Sequence, residues 1–445
     1  MKFRRILPSL NTGAEGVSDG TVPLLVGSAG MTRENDERLN KVSNTLIESP
    51  VPTVDLDFYD PDFVNDPYPA LEAVRAVGPI VQHAKLGHYL ITSYRDCARA
   101  MGQGRLFTSD HEQIGKLFGG PPFTALEGKR HADVRGIWAR DFRRKNIDEI
   151  SGMIAGIVAE ATQDAFDRMR DGEVVDIVPA VTRPIPTLVI ATLMGIPTEN
   201  IAEFIRWTDN MTGIMEGRDD PTPRGQRLVE VGVESTNLMN AFVATIIEER
   251  RRNPGQGDLV SKMVESDVPM TEAEQVSWNT QLIFAGNETT SKLMGSCLAV
   301  LAQHPEQRAQ LREDRALIPQ AIEEVHRYNS VKMWNMRFVR DKDVELAGHV
   351  VPAGASVMAL QGLGNRDPER WENPDVFDIH RPVQAHLGFG IGAHVCLGNN
   401  LARFEIETVL NRFLDEVPDW ELHDVNYGLN AMIRGPVKMD VSAAR

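Results

Sequence analysis

Apolar residues recur with helical spacing along most of this chain and alternate with a strand period only in short stretches. Residues 1–50 are polar with little periodicity and read as a flexible extension, within which Met31 is a second candidate start of translation. From Val54 the chain turns apolar. Tyr68 to Val77 predicts a short helix. Ile80–His83 and Tyr89–Thr92 predict two strands joined across Lys85-Leu86-Gly87, and residues 94–102 another helix. Residues 106–128, with Gly119-Gly120-Pro121-Pro122, have no period and predict a long loop of the kind that usually carries function. His131 to Phe142 predicts a helix. Residues 147–250 repeat helical patterns broken at Pro184, Pro186, Pro197 and Pro221-Thr222-Pro223, with no strand period. Thr271 and Glu274 form a capping box, and the pattern behind them runs unbroken to Gln303, a helix of ~48 Å at 1.5 Å per residue. Trp278, Leu282, Ile283, Phe284, Leu293, Met294 and Leu298 make both its faces apolar, so it is buried. Short strand patterns follow at 331–340, 344–349 and 356–360. A last helix carries Leu397, Leu401, Phe404, Val409, Leu410 and Phe413, and residues 420–440 predict a closing hairpin. Residues 51–445 thus predict one mainly α domain with small β sheets, an α+β fold.

Charge narrows the classes. The chain has 445 residues and a formal net charge of −16, which argues against nucleic acid and against an anionic membrane surface. No apolar run reaches the length of a membrane span, and the basic start Met1-Lys2-Phe3-Arg4-Arg5 lacks a following apolar region, so neither an anchor nor a signal peptide is expected. Three distant cysteines, Cys97, Cys297 and Cys396, suggest no disulfide framework, in keeping with a reducing cytoplasm. Against the acidic balance, seven basic residues lie between Lys129 and Lys145, opposed only by Asp133 and Asp141. They form either a solvated helix face or a docking patch.

Four places carry candidate chemistry. Cys396 follows the glycine-rich run Phe389-Gly390-Ile391-Gly392-Ala393-His394-Val395 and precedes Leu397-Gly398 and a helical pattern. A thiolate favoured there by a helix N-terminus is a good soft ligand for iron. The centre of the long helix reads Ala285-Gly286-Asn287-Glu288-Thr289-Thr290. Glycine, two β-branched hydroxyls and a buried acid all break helix rules, as functional segments often do. Glu324 and Arg327 stand three apart on one helix face, suited to a charge-assisted pair. His131 and Arg135 likewise share a helix face.

These four motifs, His131-x-x-x-Arg135, Ala285-Gly286-x-Glu288-Thr289, Glu324-x-x-Arg327 and the Cys396 loop, stand in the order found in the cytochrome P450 (haem-thiolate) family, and the chain resembles its soluble bacterial type over nearly all of 55–440. The resemblance implies the cytochrome P450 fold, with haem b (iron protoporphyrin IX) between the long helix and the Cys396 loop. It implies Cys396 as proximal iron ligand, with Phe389, Gly390, Leu397 and Gly398 around it. Arg135, Arg337 and His394, with His131 as a fourth, would meet the propionates. Ala285 and Gly286 would leave room for O2, and Thr289 with Glu288 would serve oxygen activation. Glu324, Arg327 and Arg381 would form a buried structural network. Two departures are visible: Glu127-Gly128-Lys129-Arg130 replaces the acidic-Pro-Pro approach, and Val331 stands where proline is common.

The implied activity is insertion of one oxygen atom of O2 into a small or medium hydrophobic substrate by a cytoplasmic monomer. Electrons would come from NAD(P)H through a [2Fe-2S] ferredoxin and its reductase, with the patch at Arg140–Lys145 as docking face. The intact Glu288-Thr289 pair disfavours a peroxide-driven peroxygenase, and together with the basic face disfavours a haem sensor. Substrate contacts are expected from 107–126, 190–235, Leu282 and Phe284, and residues 331–336 with Lys332 and Trp334. Lys332 either pairs with a substrate carboxylate or points to solvent, the second being the commoner behaviour of lysine.

Overall fold

The computed structural model describes residues 51–109, 117–197, 201–218, 220 and 222–444. The expected N-terminal extension, the choice between Met1 and Met31, and residues 110–116 of the long loop lie outside them. The chain enters a mixed sheet through β1 (Thr53–Val54), β2 (Ile80–His83) and β3 (Tyr89–Ile91), then α1 (Tyr94–Gly102) and β4 (Phe107–Thr108). Helices follow: α2 (Gly128–Ala139), α3 (Arg144–Glu149) and α4 (Ser151–Arg170). Then come β5 (Val175–Asp176), α5 (Pro184–Leu193), α6 (Ile201–Gly217), α7 (Pro223–Arg252), the 32-residue α8 (Glu272–Gln303) and α9 (Ile318–Tyr328). The chain returns to strand in β6 (Asn335–Val339), β7 (Val344–Leu346), β8 (His349–Val351) and β9 (Ser356–Ala359). It finishes with α10 (Asn399–Glu416) and the hairpin β10 (Trp420–Asn426) and β11 (Lys438–Ala443).

The six-stranded sheet has the order β1-β2-β3-β9-β6-β4. In it Arg337 of β6 lies opposite Val357 of β9. The two-residue β5 adds a third strand to the hairpin, in a region where no strand was expected.

Local chemistry sets α8. Thr271 accepts from the Glu274 N–H at 3.2 Å and Glu274 accepts from the Thr271 N–H at 2.8 Å, so the capping box forms. Gly286 packs tightly: a Cβ there would lie 3.0 Å from the Ile190 side chain of α5, which would have to shift to admit it. Asn287 beside it finds partners on two helices, bonding Thr187 of α5 and Thr208 of α6 at 2.8 Å each.

Two cores result. The helical core holds Trp138, Trp278, Phe166 and Phe413, with the last two in edge contact at 4.9 Å. A second gathers Phe58, Leu71, Met333, Trp334 and Met358 beneath the sheet. Each large side chain fully buried here is worth about 1.5–3 kcal/mol of transfer free energy.

Candidate active site

The Cys396 loop is shaped by two glycines. Gly390 and Gly392 have φ of +71° and +74°, a region costly for any other residue, and a Cβ on Gly392 would stand 2.9 Å from the Gly102 Cα of α1. The Cys396 N–H donates to the Phe389 carbonyl at 2.8 Å, closing the loop. Helix α10 begins at Asn399, not at Cys396, and Asn399 Nδ2 donates to the Cys396 carbonyl at 2.6 Å. The expectation of a favoured thiolate is corrected as well. Although its surface is accessible, Cys396 is closely surrounded by protein atoms, and the water these displace pushes its thiol above its ordinary value; the Gly398 N–H and the cations Arg135 and Arg403 offset this only in part. Cys97 and Cys297 are buried, whereas Cys396 carries exposed surface.

A network unread in the sequence holds the loop. Arg403 of α10 binds Glu323 at 2.6 and 3.0 Å and lies 4.3 Å over the Phe389 ring. His386 Nε2 is 3.1 Å from the same carboxylate. Burial alone would raise the Glu323 pKa, but the hydrogen bonds from His386 and Arg403 prevail and hold it far below the carboxylate range. Beside it, Glu324 takes Arg327 Nε at 2.7 Å, Arg327 Nη2 at 2.8 Å and Arg381 Nε at 3.0 Å. Arg327 and Arg381 spend their other donors on carbonyls of Asn365, Pro374, Glu372 and Asn373, so this network pins the irregular segment leading to the loop.

The centre of α8 forms a second cluster. Leu282, Ile283, Phe284, Asn287, Glu288 and Thr290 are buried, yet Ala285 is exposed and Gly286 and Thr289 are half-buried. The Thr289 hydroxyl donates to the Ala285 carbonyl at 3.2 Å. Glu288 takes Arg183 Nη1 at 2.7 Å and Lys292 Nζ at 2.9 Å, and Lys292 also donates to the Ile433 carbonyl at 2.6 Å. Burial would raise the Glu288 pKa; Lys292 and Arg183 outweigh it and keep the carboxyl below its ordinary range. Arg183 pairs in addition with Asp209 of α6. Burial lifts Asp209 to about 6 against the pull of Arg183, with the Glu288 charge adding to the lift. Arg183, Asp209, Glu288 and Lys292 line a cleft of about 260 Å³. Only Lys292 could have been found from the sequence, four residues after Glu288 on the same helix face.

A set of nitrogen groups gathers near the loop. The rings of His131 and His394 are 4.2 Å apart, and His131 Nε2 and His394 Nδ1 are buried without a hydrogen-bond partner. Burial, then the neighbouring charges of His394 and Arg135, push His131 down to about 4. Burial also lowers Arg135, His394 and Arg337. Arg337 is buried and its Nη1 donates to the Met336 carbonyl at 2.8 Å. The nearby acid is Glu127, 3.6 Å from His394 Nε2 and already bonded to Thr108 and Ser109. Buried cations in excess of acids, orphaned imidazole nitrogens and an exposed thiol fit a flat dianionic ligand carrying a thiophilic iron.

The expected pocket residues separate. Phe284 meets Phe118 edge-on at 5.6 Å, beside the buried Leu282. Trp334 packs on Phe58 at 4.8 Å in the core beneath the sheet. Lys332 does not run out to solvent but is half-buried, bridged to Ile433.

Such a fold and site define a haem-thiolate protein. The cytochrome P450 family model matches residues 78–418. The chain is 32% identical over 408 residues to the cytochrome P450 monooxygenase PikC of Streptomyces venezuelae, covering 86% of this chain and 92% of that protein. It is 29% identical to the polyketide biosynthesis cytochrome P450 PksS of Bacillus subtilis (strain 168), with 86% and 97% covered. Among solved structures, P450BioI in complex with a hexadec-9Z-enoic acid ligated acyl carrier protein superposes with a TM-score of 0.78 at 28% identity, over 86% of this chain and all of that one. The chain belongs to the cytochrome P450 family and is a monooxygenase of bacterial type. Haem and O2-dependent monooxygenation come with that membership.

Proposed function

We propose that residues 51–445 form one catalytic domain that inserts an oxygen atom from O2 into a small or medium hydrophobic molecule, with Cys396 as the iron ligand. Electrons would arrive from NAD(P)H through a [2Fe-2S] ferredoxin and its reductase to a monomeric, cytoplasmic enzyme. The carrying observation is the exposed Cys396 thiol on the glycine loop, with the half-buried Arg135 acting on it and the buried Arg337 left with a single nearby acid, Glu127. Haem supplies the activation of O2 and the transfer of one oxygen atom. The chain supplies everything around it. Arg135 and Arg337 neutralise the propionates, and His131 and His394 offer the hydrogen bonds their free ring nitrogens lack. Phe389, Gly390, Leu397 and Gly398 shape the thiolate side. Ala285 and Gly286 leave space on the other side, where the Thr289 hydroxyl can turn from the Ala285 carbonyl toward the ligand. Glu288, once one of its two cations moves away, accepts protons from the cleft that Asp209 lines and passes them toward Thr289.

Arg140, Arg143, Arg144 and Lys145 are exposed next to the thiolate side, where Asn400 Nδ2 donates to the Phe142 carbonyl at 2.9 Å, and such a patch suits an acidic ferredoxin. Among the described residues no helix is long and apolar enough to cross a membrane. The test is the difference spectrum of reduced, CO-bound protein. Wild type is expected to give the red-shifted Soret band of thiolate ligation, and Cys396→His to give an imidazole-type band. A wild-type band of imidazole type would overturn the assignment of Cys396.

A further inference from the structure

Lys332 is an odd residue for its position. Among the described residues its ammonium has no hydrogen bond and no ion pair, although the residue is half-buried. Among the described residues the charges that act on it are the guanidinium groups of Arg337 and Arg218, both of its own sign, and no carboxylate does. A buried, unpaired cation among cations is costly unless something else brings the anion.

Its direction follows from the bridge to Ile433, because directly opposed residues of an antiparallel pair project to the same side. Ile433 belongs to the helical core together with Leu282 and Phe284 of α8. Its carbonyl takes Lys292 Nζ at 2.6 Å, so the bridge lies against α8 within about one turn of Thr289. The bridge therefore holds Lys332 beside the reactive stretch of α8, with Arg337 among the charges that act on it.

We propose that Lys332 is a specificity-determining residue that binds the carboxylate of the substrate, so that the enzyme takes amphipathic organic acids whose apolar part lies along Leu282 and Phe284. The proposal rests on the haem-thiolate reading above, and its test separates the two.

Haem-loaded full-length protein is titrated with carboxylic acids, dodecanoic and phenylbutanoic among them, each paired with its own methyl ester, and the ferric Soret shift is followed. Wild type should bind an acid at least about tenfold more tightly than its ester, the weight of one charge-assisted hydrogen bond. Lys332→Met should abolish that preference while leaving the ester unchanged, and Lys332→Arg should retain it. Equal binding of acids and esters by wild type, or an acid preference that survives in Lys332→Met, refutes the proposal. So does a loss of haem retention in Lys332→Met without any change in acid affinity, which would make a propionate the true partner. A thiolate-type CO spectrum in all three proteins keeps the parent reading intact whichever way the titration falls.

Discussion

Glu288 and Lys292 form a buried ion pair whose energy can be taken apart. Their side chains are 3% and 1% exposed, so neither charge is relieved by water. Glu288→Gln leaves Lys292 with the Ile433 carbonyl alone, and breaking one side of a buried pair costs about 3–5 kcal/mol. Lys292→Met keeps the aliphatic stem, against which Gly435 packs too closely to carry a Cβ, and leaves Glu288 paired with Arg183. Its cost should be smaller, about 1.5–3 kcal/mol for the lost charge-assisted bonds. The double variant has no orphaned charge on α8. It should therefore cost less than the sum of the singles by more than about 1 kcal/mol. Denaturant midpoints of the ferric protein, read by Soret absorbance and far-ultraviolet circular dichroism, measure all four corners of the cycle. The pH dependence adds a sign. Two cations hold the folded Glu288 pKa below 4.5, so its contribution to stability is present above that pH and is lost as pH falls through the folded value. With Lys292 gone that value rises, and acid destabilisation should begin at a higher pH. Strict additivity of the singles, within about 0.5 kcal/mol, would mean the pair is not coupled and that the description of this site is wrong.

Three further outcomes are expected. Thr289→Ala should raise peroxide release per NAD(P)H consumed, and unchanged coupling would remove the hydroxyl from proton delivery. Asp209, lifted to about 6 beside Arg183, Glu288 and Lys292, contributes stability below its ordinary 3.8 that is lost as pH rises through 6. Asp209→Asn should therefore flatten the stability profile between about pH 4 and 6, modestly because the side chain is 38% exposed; a steeper profile would contradict the assignment. Replacing Arg140, Arg143 and Lys145 together by Glu should slow reduction by ferredoxin at low salt and leave the ligand-induced Soret shift unchanged. An unaltered reduction rate would move the docking face elsewhere.

What the sequence disclosed and what it hid divide by the range of the interactions. The capping box at Thr271, the long buried helix and the Glu324–Arg327 pair depend on residues three or four apart, whose geometry any helix imposes. The Cys396 turn depends on glycines adjacent in the chain. By contrast, Arg183 reaches Glu288 across 105 positions, and Arg403 reaches Glu323 across 80. No local pattern marks either arginine, so the chemistry of Glu288 was legible while the groups that hold its charge were not. Cys396 shows a related limit. Chain position says that a helix start is near, but only packing says that burial outweighs it.

Lys332 and Trp334 show the same division within three residues. From the sequence, tryptophan belongs in an apolar pocket and lysine in water, and both preferences follow from transfer free energies. Each is overridden by a long-range partner. Phe58 draws Trp334 into the core beneath the sheet, and the bridge to Ile433 turns Lys332 inward. An isolated bridge has little cooperative stability of its own. Here it is clamped from one side by Lys292 on the Ile433 carbonyl and from the other by the Arg434 N–H donating to the Val331 carbonyl at 2.7 Å. The ion pair that holds Glu288 thus also anchors the strand that aims Lys332. Lys292→Met should accordingly weaken acid discrimination as well as stability, without touching Lys332 itself. If acid-over-ester preference is undiminished in that variant, the Glu288–Lys292 pair and Lys332 act independently.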